Sequence, residues 1–230
     1  YVSEVSGGKV RRLVPVPVRP QSLDMATLVI STHHHADHCD PLTLAPLMDA
    51  SPKAVALTSS TGREVMLEAG MDERRIYVPE VDECVSYGSG LLITAIPSAH
   101  YEHERDEAGN PAYLGFIIEV NGVSIYHSGD TIIYPGLVEK LRSAQLDLAC
   151  LPINGRDWFR EQDGLVGNMD YREAAELASA TGVKVVLPGH NDMFAGNRIN
   201  PAYFVDYLQA HHPAQRYHFL QPGELFYYVS

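Results

Sequence analysis

The sequence predicts an α/β fold in which helices cover mixed β-sheets. Strand-like apolar runs alternate with helix-like segments along most of the chain, and short loops join them. One pair of runs is joined by Asn121-Gly122, a dipeptide typical of a tight antiparallel hairpin, and a mixed sheet is therefore expected. The 230 residues, 45% of them hydrophobic, contain no repeat of solenoid period and no low-complexity linker. We therefore expect a single domain over residues 1–230.

The first half alternates strands and helices after a weakly patterned start. Gly7-Gly8 predicts a turn, and the prolines of residues 13–18 favour an edge or irregular extended segment. Asp40 and Pro41 supply an N-cap and a first-turn proline for a helix. The predicted elements are a strand at residues 26–30, a helix around 42–49, a strand at 54–58, a helix from Ser59 or Ser60 to Gly70, and strands at 76–78 and 91–96.

The second half begins with the hairpin and then resumes the alternation. The hairpin strands are predicted at residues 113–120 and 123–127. The elements that follow are a helix about 136–144, a strand at 148–153, a helix about 171–180, a strand at 183–188, a helix about 201–211, and closing strands near 217–220 and 225–229. Helices outside mixed sheets are the natural packing for this order.

A cluster of histidines directly follows the first buried strand, at residues 32–38. The pattern H-x-H-x-D-H is formed there by His33, His35, Asp37 and His38. Because alternate residues of an extended segment share a face, we expect His33 and His35 to reach one ion together. The turn into the next helix should bring Asp37 and His38 to a second ion. A carboxylate interrupts the run and regular elements bracket it, which favours a metal site over a histidine-rich loop or a tag fragment.

Three more candidate ligands each follow a predicted strand. They are His100, Asp130 and His190. The ends of strands are where α/β folds place their sites. A lone histidine after a strand is more often structural, but four separate elements that converge on one pattern favour a shared site. Gly129 and Gly189 strengthen the pattern, because glycine lets the backbone approach a crowded site.

Composition limits the partners and the compartment. The net charge of −12 argues against a nucleic-acid phosphate backbone as the main partner. Cys39, Cys84 and Cys150 are odd in number and scattered, which disfavours a disulfide framework and favours a reducing, cytoplasmic location. No apolar run reaches the length of a membrane span, and no signal peptide opens the sequence, which begins at Tyr1.

Four motifs, in this order, resemble the metallo-β-lactamase superfamily. They are T-H-H-H-A-D-H at residues 32–38, P-S-A-H at 97–100, Y-H-S-G-D-T at 126–131 and L-P-G-H at 187–190. The resemblance runs from about Ala26 to the C-terminus, and it implies an αββα four-layer sandwich. Members of this fold normally begin with two or three further strands. Residues 1–23 match none of them, so we expect an N-terminally short version of the fold.

The resemblance also implies ligand sets and a chemistry. One ion would be bound by His33, His35 and His100. The second ion would be bound by Asp37, His38 and His190, and Asp130 would bridge the two ions. Two divalent ions, manganese or zinc, would hold a bridging hydroxide as the nucleophile. In this scheme Asp37 and His190 are the catalytic residues, and Asp37 orients the hydroxide and takes up a proton.

Within the superfamily, the likeness favours the branch that includes L-ascorbate-6-phosphate lactonase. The segments that carry it are residues 128–131, 151–156, 167–169 and 188–192. This branch implies hydrolysis of a small anionic substrate, with a phosphorylated sugar lactone as the best single candidate. The candidate substrate-binding residues are Asn154, Arg156 and Asn168, on the predicted loop after the strand at 148–153. Arg156 suits bidentate binding of a phosphate or carboxylate, but pairing with a surface acid such as Asp157 or Glu161 is equally open.

The sequence leaves two other functions open. A phosphodiesterase acting on a cyclic nucleotide or another small phosphodiester would use the same ions. A non-catalytic metal-binding scaffold would keep the ligands without turnover, although it has no need for an open coordination position. A homo-oligomer is also expected if a shortened sheet leaves an exposed edge.

Overall fold

The structure of the chain is a computed structural model that describes residues 5–6, 10–88 and 90–229. Its strands are β1 (Val5–Ser6), β2 (Val10–Arg11), β3 (Leu28–Ser31), β4 (Val55–Thr58), β5 (Ile76–Tyr77), β6 (Cys84–Ser86), β7 (Leu91–Pro97), β8 (Leu114–Val120), β9 (Val123–His127), β10 (Leu148–Pro152), β11 (Val185–Gly189) and β12 (Arg216–Tyr217). Its α-helices are α1 (Pro41–Ala50), α2 (Ser60–Glu68), α3 (Leu137–Ser143), α4 (Trp158–Gln162), α5 (Tyr171–Thr181) and α6 (Ala202–His211). The turn predicted at Gly7-Gly8 lies outside the described residues.

Two sheets form the frame of the fold, beside a short β1-β2 pair. Strands β3, β4 and β5 form a parallel sheet in that order. The larger sheet has the order β12-β11-β10-β9-β8-β7-β6, in which β9 to β12 pair in parallel and β6 to β9 pair antiparallel. The hairpin turn between β8 and β9 has positive φ at Asn121 (51°) and Gly122 (77°), as a primed turn requires. The predicted mixed sheet is therefore confirmed.

Three apolar clusters show how the layers stack. The first packs α1 and α2 on one face of the smaller sheet, with Met48, Met66 and Ala56 among its residues. The second lies between the two sheets and contains Leu57 of β4 and Phe116 of β8. The third covers the other face of the larger sheet with α3, α5 and α6. Ala56 and Leu57 are successive residues of β4, so their side chains point to opposite faces of the smaller sheet. Strand β4 therefore contributes to both the first and the second cluster. The predicted αββα sandwich is thus confirmed.

Several segments differ from the sequence predictions. Strand β6, which was not predicted, pairs antiparallel with β7, and the strand predicted near residues 217–220 is limited to β12. A short helix, α4, lies in the stretch predicted as a loop, because Asp157 caps its N-terminus. The closing strand predicted at residues 225–229 has no regular structure. Tyr228 is half-buried and donates a hydrogen bond to Asp147 there, while Tyr227 is exposed. The alternating pattern of this segment therefore reflects one half-buried side, without pairing to another strand. Within the described ranges, no helix combines the length and the apolar character needed to cross a membrane.

Candidate metal centre

The seven candidate ligands come from four loops at one edge of the fold. Residues 33–38 follow β3, His100 follows β7, Asp130 follows β9 and His190 follows β11. Strands β7 and β9 both pair antiparallel with β8, and β11 runs parallel to β9 through β10. The C-terminal ends of these three strands of the larger sheet therefore lie at the same edge, which is why residues far apart in sequence meet there.

The ligand atoms form two compact groups. The first group contains His33, His35, His100 and Asp130, and the second contains Asp37, His38 and His190. In each group, one possible ligand atom from every residue lies within 4.8 Å of those of the other residues. Asp130 connects them, because its Oδ1 atom is 3.2 Å from Nε2 of His38 and 3.2 Å from Nε2 of His190. This division is the one that the family resemblance implied, with Asp130 between the groups.

The histidine motif reaches this arrangement through a turn. The carbonyl oxygen of His35 accepts hydrogen bonds of 2.8 Å from the amides of both His38 and Cys39, so residues 32–38 bend directly after β3. Nε2 of His33 lies 2.9 Å from Nδ1 of His35. The two side chains therefore meet through bent backbone, and not through the extended geometry that the sequence predicted.

His100 provides a test of whether these residues suit a metal ion. Its Nδ1 atom is 2.7 Å from the carbonyl oxygen of Gly167, which can only accept, so Nδ1 carries the proton. The other nitrogen, Nε2, is buried and has no hydrogen-bond partner among the described residues. A buried unpaired nitrogen is costly, and a histidine whose second nitrogen donates to a carbonyl is the usual form of a metal ligand. The site therefore fits a divalent ion.

Thr32 supports one ligand of each group. Its Oγ1 atom is 3.0 Å from Nδ1 of His33 and 3.2 Å from Nδ1 of His38. Because the hydroxyl engages the Nδ1 atoms, the Nε2 atoms of both rings remain available to an ion. One side chain thus orients ligands in both groups.

Burial and neighbouring charges shift the pKa values of several candidate ligands in opposite directions. Burial disfavours ionisation of Asp130, but His190 and His38 outweigh it and hold the pKa of Asp130 well below its ordinary value. Burial also raises the pKa of Asp37, but the hydrogen bond from His190 and the charges of His38 and His190 together outweigh it, so the net pKa is lowered. Burial lowers the pKa of His190, but Asp130 and Asp37 raise it to about 9. Burial lowers the pKa of His35 to about 4, which favours the neutral ring that metal ligation needs.

A cavity of about 230 Å³ opens onto both groups. One side is formed by the ligands His35, Asp37, His100, Asp130 and His190. The opposite wall includes Leu165, Val166, Phe194 and Asn197. Among the residues that the structure describes, no lysine or arginine lines this cavity. The cavity is therefore lined by the polar candidate ligands on one part of its surface and by mainly apolar side chains on the rest.

The three predicted substrate-binding residues lie outside this lining. Asn154 and Asn168 are only 1% and 0% exposed, and Nδ2 of Asn168 lies 3.2 Å from Oδ1 of Asn154. Arg156 donates two hydrogen bonds of 2.7 Å to the carboxylate of Glu173. An ion pair of the kind considered as the alternative is thus present, with a different acid. Direct contact of these three residues with substrate stays a prediction.

Asn197 is the polar residue of the cavity lining that the sequence did not predict, and the apolar lining residues Leu165, Val166 and Phe194 were not predicted either. Asn197 ends the 3₁₀ helix Ala195–Asn197 and lines the cavity near Phe194. It follows no strand and belongs to none of the recognised motifs, so its sole sequence signal was a polar side chain shortly after His190. Thr32 was also passed over, although it opens the histidine motif.

The four-layer αββα sandwich and the two His/Asp groups at one edge place the chain in the metallo-β-lactamase fold class, with a candidate metal centre. Residues 4–191 match the family described as the Beta-lactamase superfamily domain, and the chain belongs to that superfamily. A UPF0173 metal-dependent hydrolase of Nitratidesulfovibrio vulgaris (strain DP4) is 28% identical over 218 residues, which cover 90% of this chain and 80% of the relative. One from Thermococcus onnurineus is 30% identical over 192 residues, which cover 81% and 75%. The chain is accordingly a metal-dependent hydrolase.

Solved structures share the fold at lower identity. An isothiocyanate hydrolase from Delia radicum gut bacteria has a TM-score of 0.73 and 19% identity, with 96% of this chain and 84% of that chain covered. Igni18, a metallo hydrolase from Ignicoccus hospitalis, has a TM-score of 0.66 and 23% identity, with 86% and 77% covered. These likenesses concern the fold alone.

Proposed function

We propose that the chain binds two divalent ions and hydrolyses a small lactone or related ester between them. The observation that carries this proposal is the position of Asp130, whose Oδ1 atom is 3.2 Å from Nε2 of both His38 and His190 while the residue also belongs to the other group. A carboxylate shared by two ligand groups suits a pair of ions. Imidazoles suit zinc and carboxylates suit manganese, so both metals are candidates.

The ions, when bound, would polarise the substrate carbonyl and lower the pKa of the attacking water. Asp37, which belongs to the second ligand group, would orient that water and accept its proton on a carboxylate oxygen. The water oxygen bonds to the carbonyl carbon as the ring C–O bond breaks. The proton taken by Asp37 passes to the leaving alkoxide oxygen, and the product is a hydroxy acid whose carboxyl proton goes to solvent.

A phosphorylated sugar lactone, the substrate class implied by the lactonase branch, is the specific candidate for an anionic substrate. Its phosphate would need a cation such as Arg156. That guanidinium is held by Glu173 through two hydrogen bonds of 2.7 Å, so it would have to leave this partner to serve the substrate. An uncharged lactone requires no such exchange. Arg156→Ala should raise KM for the phosphorylated lactone alone if the predicted role holds.

The test combines elemental analysis with a substrate panel. The panel contains an uncharged γ-lactone, a phosphorylated sugar lactone, a phosphodiester, and an alkyl isothiocyanate, because one structural neighbour hydrolyses isothiocyanates by its description. We expect about two ions per chain and lactone opening that a chelator abolishes. The His100→Ala variant should lose both bound metal and lactone opening. The His211→Ala variant, changed on α6 away from the site, should keep both.

Three outcomes would contradict the proposal. Metal content below about one ion per chain would remove the paired site. Cleavage of the phosphodiester without lactone opening would favour the phosphodiesterase. Full metal content without turnover of any panel member would favour a non-catalytic scaffold.

A further inference from the structure

The geometry points to Asn197 as a substrate-binding residue whose side-chain amide donates a hydrogen bond to an oxygen of an uncharged substrate. The apolar part of that substrate would lie against Phe194 and Leu165. This inference rests on the proposed hydrolysis at the metal centre and names the class of substrate for that site.

The orientation of the Asn197 amide follows from its neighbours. Its Oδ1 atom accepts a hydrogen bond of 2.7 Å from Nδ2 of Asn154 and lies 3.3 Å from Nη1 of Arg160. A guanidinium group has donors and no acceptor, so the amide atom that faces it must be the oxygen. The nitrogen, Nδ2, has no hydrogen-bond partner within the described ranges, and Asn197 lines the cavity beside the ligands. The cavity lining therefore includes one side-chain amide whose nitrogen has no partner among the described residues.

A buried chain of amides holds this donor in place. Asn168 donates to Oδ1 of Asn154 at 3.2 Å, and Asn154 donates in turn to Asn197. Nη1 of Arg160 also donates to the carbonyl oxygen of Asn154 at 2.8 Å. Both supporting asparagines are almost fully buried, and reversing either amide would set two oxygen atoms against each other, Asn168 against Oδ1 of Asn154 or Asn154 against Oδ1 of Asn197. Their orientations are therefore determined, although Oδ1 of Asn168 has no hydrogen-bond partner among the described residues. We assign Asn154 and Asn168 as positioning residues, because a donor fixed in advance needs little reorganisation when substrate binds.

The cavity wall defines the chemistry of the substrate. Leu165, Val166 and Phe194 offer an apolar surface, and no lysine or arginine of the described chain joins them. A phosphate or carboxylate distant from the reacting carbonyl would be desolvated there without a cationic partner. A volume of about 230 Å³ suits a small molecule. The fitting substrate is a lactone or ester with a short alkyl or ring substituent and no second charge.

The test uses two variants of Asn197 that remove the side-chain amide donor, one with and one without an acceptor oxygen. Asn197→Asp retains an oxygen for Asn154 and Arg160 but has no amide hydrogen for the cavity, and Asn197→Ala removes both functions. Asn200→Asp is the matched control, because Asn200 lies in the same loop, is exposed, and uses its Oδ1 atom to accept from the amide of Ala202 at 3.0 Å. Elemental analysis and circular dichroism establish that each metal-loaded variant keeps its ions and its fold.

Steady-state kinetics on an alkyl γ-lactone and on a phosphorylated sugar lactone give the first readout. We expect the wild-type protein to prefer the uncharged lactone by at least about tenfold in kcat/KM. Both Asn197 variants should lose about 10–100-fold on it, and Asn200→Asp should stay within about twofold. Unchanged kinetics in both Asn197 variants would overturn the inference, as would a tenfold preference for the phosphorylated lactone.

Binding gives a second readout that does not depend on turnover. An uncharged alkyl γ-lactam, which resists hydrolysis, is titrated into metal-loaded protein while the side-chain NH₂ signals of Asn197 are followed by NMR. A shift of these signals, with weaker lactam binding by Asn197→Asp, supports the assignment even if no lactone is hydrolysed and the proposed reaction fails. Lactam binding that leaves the Asn197 signals unmoved, or no lactam binding, would overturn it.

Discussion

The Nδ1 atom of His100 lies 2.7 Å from the carbonyl oxygen of Gly167, so a candidate metal ligand is held by the loop that also carries Asn168. Asn168 begins the chain of amides that ends at Asn197 in the lining of the cavity. One short segment therefore supports both sides of the site. Changes in this segment should affect metal binding without touching a ligand.

Gly167→Ala should weaken metal binding through this contact. An added Cβ would lie 2.5 Å from Cβ of Arg156 and 2.8 Å from Oη of Tyr101, so the loop must shift. We expect this shift to move the carbonyl of Gly167 away from Nδ1 of His100. We expect fewer than about two ions per chain and a loss of about 1–3 kcal/mol in the free energy of unfolding. Elemental analysis and urea denaturation measure both. Gly196→Ala is the control, because its Cβ would meet only Cδ1 of Leu165, at 3.4 Å. Full metal content in Gly167→Ala would contradict the coupling.

Thr32→Val should lower metal affinity while the fold is kept. Valine has the shape of threonine but removes the hydroxyl that lies 3.0 Å from Nδ1 of His33 and 3.2 Å from Nδ1 of His38. Loss of such a support typically costs about 10–100-fold in affinity, which competition with a chelator would measure. Thr181→Val, which removes a buried hydroxyl that donates to the carbonyl of Leu177 in α5, should leave affinity unchanged. Equal metal affinities in the wild-type protein, Thr32→Val and Thr181→Val would refute the role of Thr32.

Metal binding should release a proton from His190. Asp130 and Asp37 overcome the effect of burial and raise the pKa of His190 to about 9, so the ring is protonated at neutral pH and must lose that proton to bind an ion. Affinity should therefore rise by about tenfold per pH unit between pH 7 and the His190 pKa. Calorimetry at pH 7.5 in buffers of different ionisation enthalpy would count the proton. An affinity that is constant over this range would exclude the mechanism.

Asp147→Asn should destabilise the fold in a pH-dependent way. Burial raises the pKa of Asp147, but the hydrogen bonds from Lys184, Ser124 and Tyr228 together outweigh it, and the net pKa is lowered. Nζ of Lys184 lies 2.6 Å away and the amide of Ser124 lies 2.9 Å away. Because the folded pKa is below the unfolded value, the carboxylate stabilises the fold above about pH 4, and this contribution is lost as the pH falls through the folded pKa.

Urea denaturation of Asp147→Asn at several pH values measures this contribution. We expect the variant to lose about 1–3 kcal/mol at pH 7 and the difference from wild type to shrink towards pH 3. Asp82→Asn is the control, because Asp82 pairs with Lys140 at the surface, where an ion pair contributes about 1 kcal/mol or less. A difference that does not change with pH would show that the charge of Asp147 plays no part.

Local features of the sequence predicted much of the fold and the members of the site. The Asn121-Gly122 turn and the apolar runs predicted the strands, because hairpin conformation and strand burial depend on neighbouring residues. His33, His100 and His190 were predicted as candidate ligands because a side chain that follows a strand is positioned by the end of that strand. The closing strand at residues 225–229 failed because a strand needs a partner, which a local pattern does not specify.

By itself, the sequence determined the mixed α/β architecture and the seven side chains that meet at one edge of it. Tertiary structure alone decided that Arg156 pairs with Glu173 of α5, that Asn154 and Asn168 are buried, and that Asn197 faces the cavity. The physical reason is that ligand type and strand ends are local properties, whereas a hydrogen-bond partner is chosen among all groups that packing brings within reach.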